Sequence, residues 1–138
     1  MSTDRKKMSW NGWGWAAHKD DVAANEAAWS WLADELGMPS LLATPARFGS
    51  MSGALKDFFE RIYHPCLERS RGLPYGLLVK GDTDVDGAVS SVERIVVGLG
   101  WRLALPVVAV VGEVTDADLD AAAELGAGLV AGIEAGIF

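Results

Sequence analysis

Three short, unbroken apolar runs, Leu41-Leu42-Ala43, Tyr75-Gly76-Leu77-Leu78-Val79 and residues 107–111, each lead through a glycine-containing turn into a helical pattern. That alternation limits the possible folds more than any other feature. A strand that is apolar at every position has no side to turn to water, so it belongs in a sheet covered on both faces. Strands separated by helices pair in parallel through right-handed crossovers. The spacing predicts one helix on Met51, Leu55, Phe58, Phe59, Ile62 and Tyr63, and a second on Val85, Val89, Val92, Val96 and Leu99. A third is expected on Leu119, Ala122, Leu129 and Ile133, with Thr115 and Asp118 as its N-cap and capping box. From Ser40 onward the expected architecture is an α/β parallel wrap of βαβαβα order. Ligands on such sheets sit beyond the carboxyl ends of the strands, here residues 44–50, 81–84 and 112–115.

Composition narrows the function. With 138 residues, half of them hydrophobic, the chain can bury one ordinary core. Five of the six Trp fall before residue 32, which divides a Trp-rich segment, 1–39, from an α/β domain, 40–138. In the first segment Asp20 or Asp21 can cap a helix carrying Ala28, Trp29, Leu32 and Leu36, stopped by Gly37 and Pro39. Its Trp cluster reads as a hydrophobic flap or a dimer contact rather than as catalytic machinery. A net charge of −7 argues against nucleic acid, since neutralising phosphates needs a basic surface. Arg5, Lys6 and Lys7 are not followed by an apolar signal-peptide core, and the longest apolar runs fall far short of the roughly 20 residues of a membrane span. Export and membrane insertion are therefore not expected. Cys66 stands alone, so neither an internal disulfide nor a cysteine-based metal cluster is expected, which suits a cytoplasmic location.

Chemistry is concentrated in the first loop, Thr44-Pro45-Ala46-Arg47-Phe48-Gly49-Ser50-Met51. Pro and Gly should fix a backbone whose N–H groups point outward, Phe48 offers a ring face, and Arg47 offers a fork of donors. These are parts for gripping a flat, partly anionic ring, although an ordinary turn has the same composition. The loop closely resembles the one that cradles the FMN ring in flavodoxin-like quinone reductases and related flavodoxin-fold proteins. The resemblance continues through Gly53-Ala54-Leu55-Lys56-Asp57-Phe58-Phe59, Lys80-Gly81-Asp82-Thr83, Gly100-Trp101-Arg102 and Val110-Val111-Gly112, over about residues 41–138. It implies a flavodoxin-like parallel sheet with helices on both faces. It also implies that Thr44, Pro45, Ala46, Arg47, Phe48 and Gly49 line one side of an isoalloxazine, and that Gly81, Asp82 and Thr83 approach it from the next loop. FMN would then be the cofactor, with a nicotinamide nucleotide or a quinone as partner, and the flavin would supply hydride and electron transfer.

One part of that family's pattern is missing. Its sheet has five strands, and the loop after the first holds the FMN phosphate on hydroxyls and backbone amides at a helix N-terminus. Residues 1–38 offer no strand followed by such a turn, so the first two strands are expected to be absent or replaced. Losing roughly three charge-assisted hydrogen bonds of about 1.5 to 3 kcal/mol each would weaken binding by about a thousandfold or more. A central strand would also lose its neighbour, so a homo-oligomer is expected. Residues 9–37, with Ser9-Trp10-Asn11-Gly12-Trp13-Gly14, resemble instead the start of FAD-linked oxidases similar to alkyldihydroxyacetonephosphate synthase, a region that carries no flavin site. The chain thus reads as an oxidoreductase-like FMN binder of low affinity, or as a non-enzymatic hybrid that self-associates without cofactor.

Two other motifs compete. Asp82-Thr83-Asp84-Val85-Asp86-Gly87 with Glu93 fits the spacing of an EF-hand loop, but a strand-like run precedes it where an EF-hand needs a helix. Asp84 or Asp86 is better read as a helix cap, and no metal ligands are assigned. His64-Pro65-Cys66 could pair a base with a nucleophile, but chain neighbours rarely face one another, so no catalytic residue is assigned.

Overall fold

The computed structural model describes residues 40–138. The Trp-rich segment, with its expected helix, lies outside the described residues. The elements run β1 (Ser40–Pro45), α1 (Gly53–Cys66), β2 (Pro74–Gly81), α2 (Asp86–Leu99), β3 (Arg102–Leu103), β4 (Val108–Val111) and α3 (Asp116–Glu134). Every strand pair is parallel. β2 is central: β1 lies along one side, from Ser40↔Tyr75 to Pro45↔Lys80. On the other side β3 pairs with its beginning and β4 with its end.

The third expected strand, residues 107–111, is present as β4, and a short piece that the apolar pattern does not mark, β3, precedes it. The Ala104 amide makes a last bond to the Tyr75 carbonyl at 2.8 Å, and pairing resumes at Val108. Pro106 stands in the gap, and a residue without an N–H is suited to the place where a ladder is interrupted.

Strand alternation places the core. Tyr75, Leu77 and Val79 of β2 and Leu42 of β1 share a cluster with Phe59 and Ile62 of α1 and with Ala88, Val92, Val96 and Leu99 of α2. Trp101 closes its lower end, with its ring centroid 6.1 Å from that of Phe59. The indole Nε1 donates to Ser70 Oγ at 2.7 Å, and that hydroxyl donates to the Cys66 carbonyl at 2.8 Å, so the buried polar groups there are satisfied. On the opposite face α3 lays Leu125 and Leu129 over Gly76, where a Cβ would come within 2.8 Å of Leu129 Cδ1. Helices thus cover both faces, but unequally: Leu41, on the α3 face of β1, remains 50% exposed.

Two predicted helix faces need correction. Met51 is buried but precedes α1, whose N-cap is Ser52. Leu119 is exposed, and Leu125 takes the core position, because the first turn of α3 starts at the loop rim beyond the end of β4. The predicted capping box is present. The Thr115 amide donates to Asp118 Oδ2 at 2.8 Å, and the Asp118 amide donates to Thr115 Oγ1. The bond from the Thr115 amide first, and then that from the Thr115 hydroxyl, which donates to the same carboxylate oxygen at 2.7 Å, hold the Asp118 carboxyl below its ordinary range. The support they give is present above the unfolded-state pKa and is lost as pH falls through the lower folded value.

Candidate functional site

The β1–α1 loop is anchored at both ends. Thr44 is buried; its Oγ1 accepts the Ser52 amide at 2.9 Å and donates to the Pro45 carbonyl at 2.9 Å. The Ala46 amide donates to the Lys80 carbonyl at 2.7 Å, continuing the pairing past the end of β1. Arg47 and Ser50 then exchange two backbone hydrogen bonds of 2.8 and 2.9 Å around a two-residue tip. At that tip Phe48 has φ 50° and Gly49 φ 69°. Positive φ at both central residues is the signature of a type I′ turn, which favours Asn-Gly.

Phenylalanine is an unfavourable choice there. The left-handed conformation costs a residue with a Cβ roughly 1–2 kcal/mol. Phe48 is fully exposed, so burial offsets none of that. Phe48→Asn should therefore raise the unfolding free energy by about 1 kcal/mol in urea denaturation. A destabilised variant would mean that the Phe48 ring packs within the folded chain.

The outward amides expected of this loop are mostly occupied. Those of Ala46, Arg47, Ser50, Met51 and Ser52 are all hydrogen-bonded internally, leaving only Phe48 and Gly49 at the tip. The loop uses its backbone to hold its own shape.

The β2–α2 loop lies beside it. A Cβ on Gly81 would approach the Asp84 carbonyl oxygen to 2.7 Å and Ala46 Cβ to 3.1 Å, so glycine is what lets the two loops pack. Lys80 Nζ contacts Asp82 Oδ1 at 2.6 Å. The Asp82 carboxyl is held low by that hydrogen bond first, then by the Lys80 charge and, from the neighbouring loop, the Arg47 charge. Asp82 and Thr83 are exposed, as are Arg47 and Phe48 across from them. The closest approach is at Gly87 in the first turn of α2, where a Cβ would collide with the Gly49 carbonyl oxygen. The third loop joins the same rim: the Gly112 amide donates to the Gly81 carbonyl at 2.8 Å.

The predicted residues thus sit on two adjacent loops at the carboxyl rim of the sheet. Spacing alone did not reveal Lys80, Gly87 and Ser91, which hold the loops together. Asp84, rather than Asp86, shapes the entry to α2: its Oδ1 accepts the Asp86 amide at 2.9 Å, one residue ahead of the N-cap position, Val85. Among the described residues no group of three His, Cys, Asp or Glu side chains is placed to hold a metal ion. In the last turn of α1 His64 is exposed, with its ring edge-on to Tyr63, while Cys66 is buried. Burial raises the Cys66 thiol pKa against the smaller lowering by Arg69, which disfavours the thiolate.

No protein-family model and no curated protein matches the sequence. Among solved structures the chain is similar to a flavodoxin, WrbA-like protein from Agrobacterium tumefaciens, at 18% identity and a TM-score of 0.57, over 80% of this chain and 69% of that one. The architecture is accordingly a flavodoxin-like α/β fold. No helix among the described residues is long and apolar enough to cross a membrane.

Proposed function

We propose that this chain is a flavodoxin-like FMN-binding oxidoreductase that holds the flavin mainly by its ring and therefore with low affinity. The observation that carries this reading is the close approach of Gly49 to Gly87, which sets the two candidate loops side by side at one rim, where they would form the walls of a slot. The ring would lie against residues 44–49 on one side and Gly81, Asp82 and Thr83 on the other. The unpaired Phe48 and Gly49 amides and the Arg47 guanidinium would serve as donors to a ring's carbonyl edge, and Phe48 would offer it a flat surface. When bound, FMN would supply hydride and electron transfer, with a nicotinamide nucleotide as donor and a quinone as acceptor. The described residues include no hydroxyl-rich loop for the phosphate, so ring contacts must supply most of the affinity. We place the protein in the cytoplasm, on the strength of its lone buried cysteine.

A second reading is favoured by β1, which has no strand on its outer side among the described residues and carries a half-exposed Leu41. An open, uncharged edge is a template for pairing. On this reading the chain self-associates, and cofactor binding is either completed by a second copy or absent. Quenching of FMN fluorescence, titrated at several protein concentrations, separates the two. Binding with a Kd of about 10 μM to 1 mM is expected, tightening with protein concentration if assembly completes the site. A colourless protein that quenches no flavin would leave only the second reading.

A further inference from the structure

We infer that Ser91, which the flavin reading does not use, is a positioning residue that clamps the first loop to α2 and so sets the width of the slot. The inference rests on the flavin reading for what the slot holds, but the clamp itself stands on separate geometry. Ser91 lies in the second turn of α2, with its side chain turned toward the β1–α1 loop. Its Oγ donates to the Ala88 carbonyl of its own helix at 2.8 Å and accepts the Met51 amide at 2.9 Å, across forty residues of sequence. A serine hydroxyl has one proton and two lone pairs, so the bond to Ala88 fixes the direction of the proton and leaves a lone pair for Met51.

The position of that bond gives it leverage. Met51 is buried and immediately precedes Ser52, the N-cap of α1, so its amide marks where the loop re-enters the fold. Upstream the loop is held by Ala46 to Lys80; the packing of its tip residue Gly49 on Gly87 and, downstream of the tip, the Ser91 bond tie it to α2. Because α2 begins directly after the second loop, one helix carries both the second wall and the fastening of the first. Alanine at position 91 would favour the helix slightly and leave the part-buried Met51 amide without its acceptor. A gain or loss of global stability is therefore a poor reporter, and the local exchange of that amide is a direct one.

The test is backbone amide exchange by NMR on the full chain, for wild type, Ser91→Ala and Ser91→Thr, alongside FMN titration of each. In Ser91→Ala the Met51 amide should exchange about tenfold faster while the Leu77 and Val92 amides keep their protection, and the Kd for FMN should rise about fivefold or more. Ser91→Thr, which keeps the hydroxyl, should restore both. Unchanged Met51 exchange in Ser91→Ala would overturn the clamp. Faster exchange with unchanged FMN affinity would overturn the positioning role. Faster exchange in a protein whose wild type takes up no FMN would instead overturn the flavin reading, and the positioning role with it, while leaving the clamp in place.

Discussion

Leu77→Ala should lower the unfolding free energy by about 3–4 kcal/mol, among the largest losses of any single truncation in the described domain. Leu77 is fully buried at the middle of β2, the strand that pairs with all three others, and it faces α1 and α2. Its removal loses the transfer free energy of the side chain and leaves a cavity bounded by backbone on one side, which relaxes poorly. For a domain whose total stability is of order 5–15 kcal/mol, such a change shifts a urea midpoint far outside error. Leu119→Ala is the informative partner. By sequence spacing both leucines belong to buried faces, but Leu119 is 60% exposed and its truncation should change stability by no more than about 0.5 kcal/mol. Equal losses at the two positions would mean that α3 is rotated about its axis from the arrangement described above.

Gly87→Ala should have the largest effect on the site. Helix propensity alone favours the substitution by up to about 1 kcal/mol. Here it is opposed by a clash with the backbone carbonyl of Gly49, which cannot swing aside as a side-chain tip could. Overpacking of this kind costs about 1–3 kcal/mol, so a net loss of roughly 1 kcal/mol is expected. The more telling consequence is geometric, since relief requires the two loops to separate. FMN affinity should fall by about tenfold or more, because ring contacts are sensitive to a wall displaced by an ångström. Gly126→Ala, at an α3 position where a Cβ meets nothing within 4 Å, should stabilise by about 0.5–1 kcal/mol and leave any FMN binding intact. If Gly87→Ala were as benign as Gly126→Ala, the two loops would not be in contact.

β2 was legible because burial on both faces removes the ambiguity of period: no polar residue interrupts residues 75–79, and the strand extends only a residue or two beyond them, whereas β1 alternates between buried and exposed positions and β4 is largely exposed. The short strand β3 was missed. It pairs with the beginning of β2, and exposed Arg102 and Leu103 give no apolar run to recognise. The capping box at Thr115 and Asp118 was readable because both partners lie within one turn of chain. Ser91 could not be found in the same way. Its partner Met51 is forty residues away, and only the register of two crossovers brings them together. Phe48 illustrates a different limit. The residue types of the tip suggested a ring-gripping loop, but the left-handed φ of an aromatic residue contradicts local preference, and no sequence rule anticipates it.

The most direct measurement of the central claim is a two-dimensional amide NMR titration of the isotopically labelled full chain with FMN. Shifts concentrated on Arg47, Phe48, Gly49, Asp82 and Thr83 and on the first turn of α2, with the amides of Lys56, Glu60 and Val130 unmoved, are the expected result. Shifts confined to one of the two loops, or centred on the helices away from the carboxyl rim, would contradict the claim that the loops form a single slot.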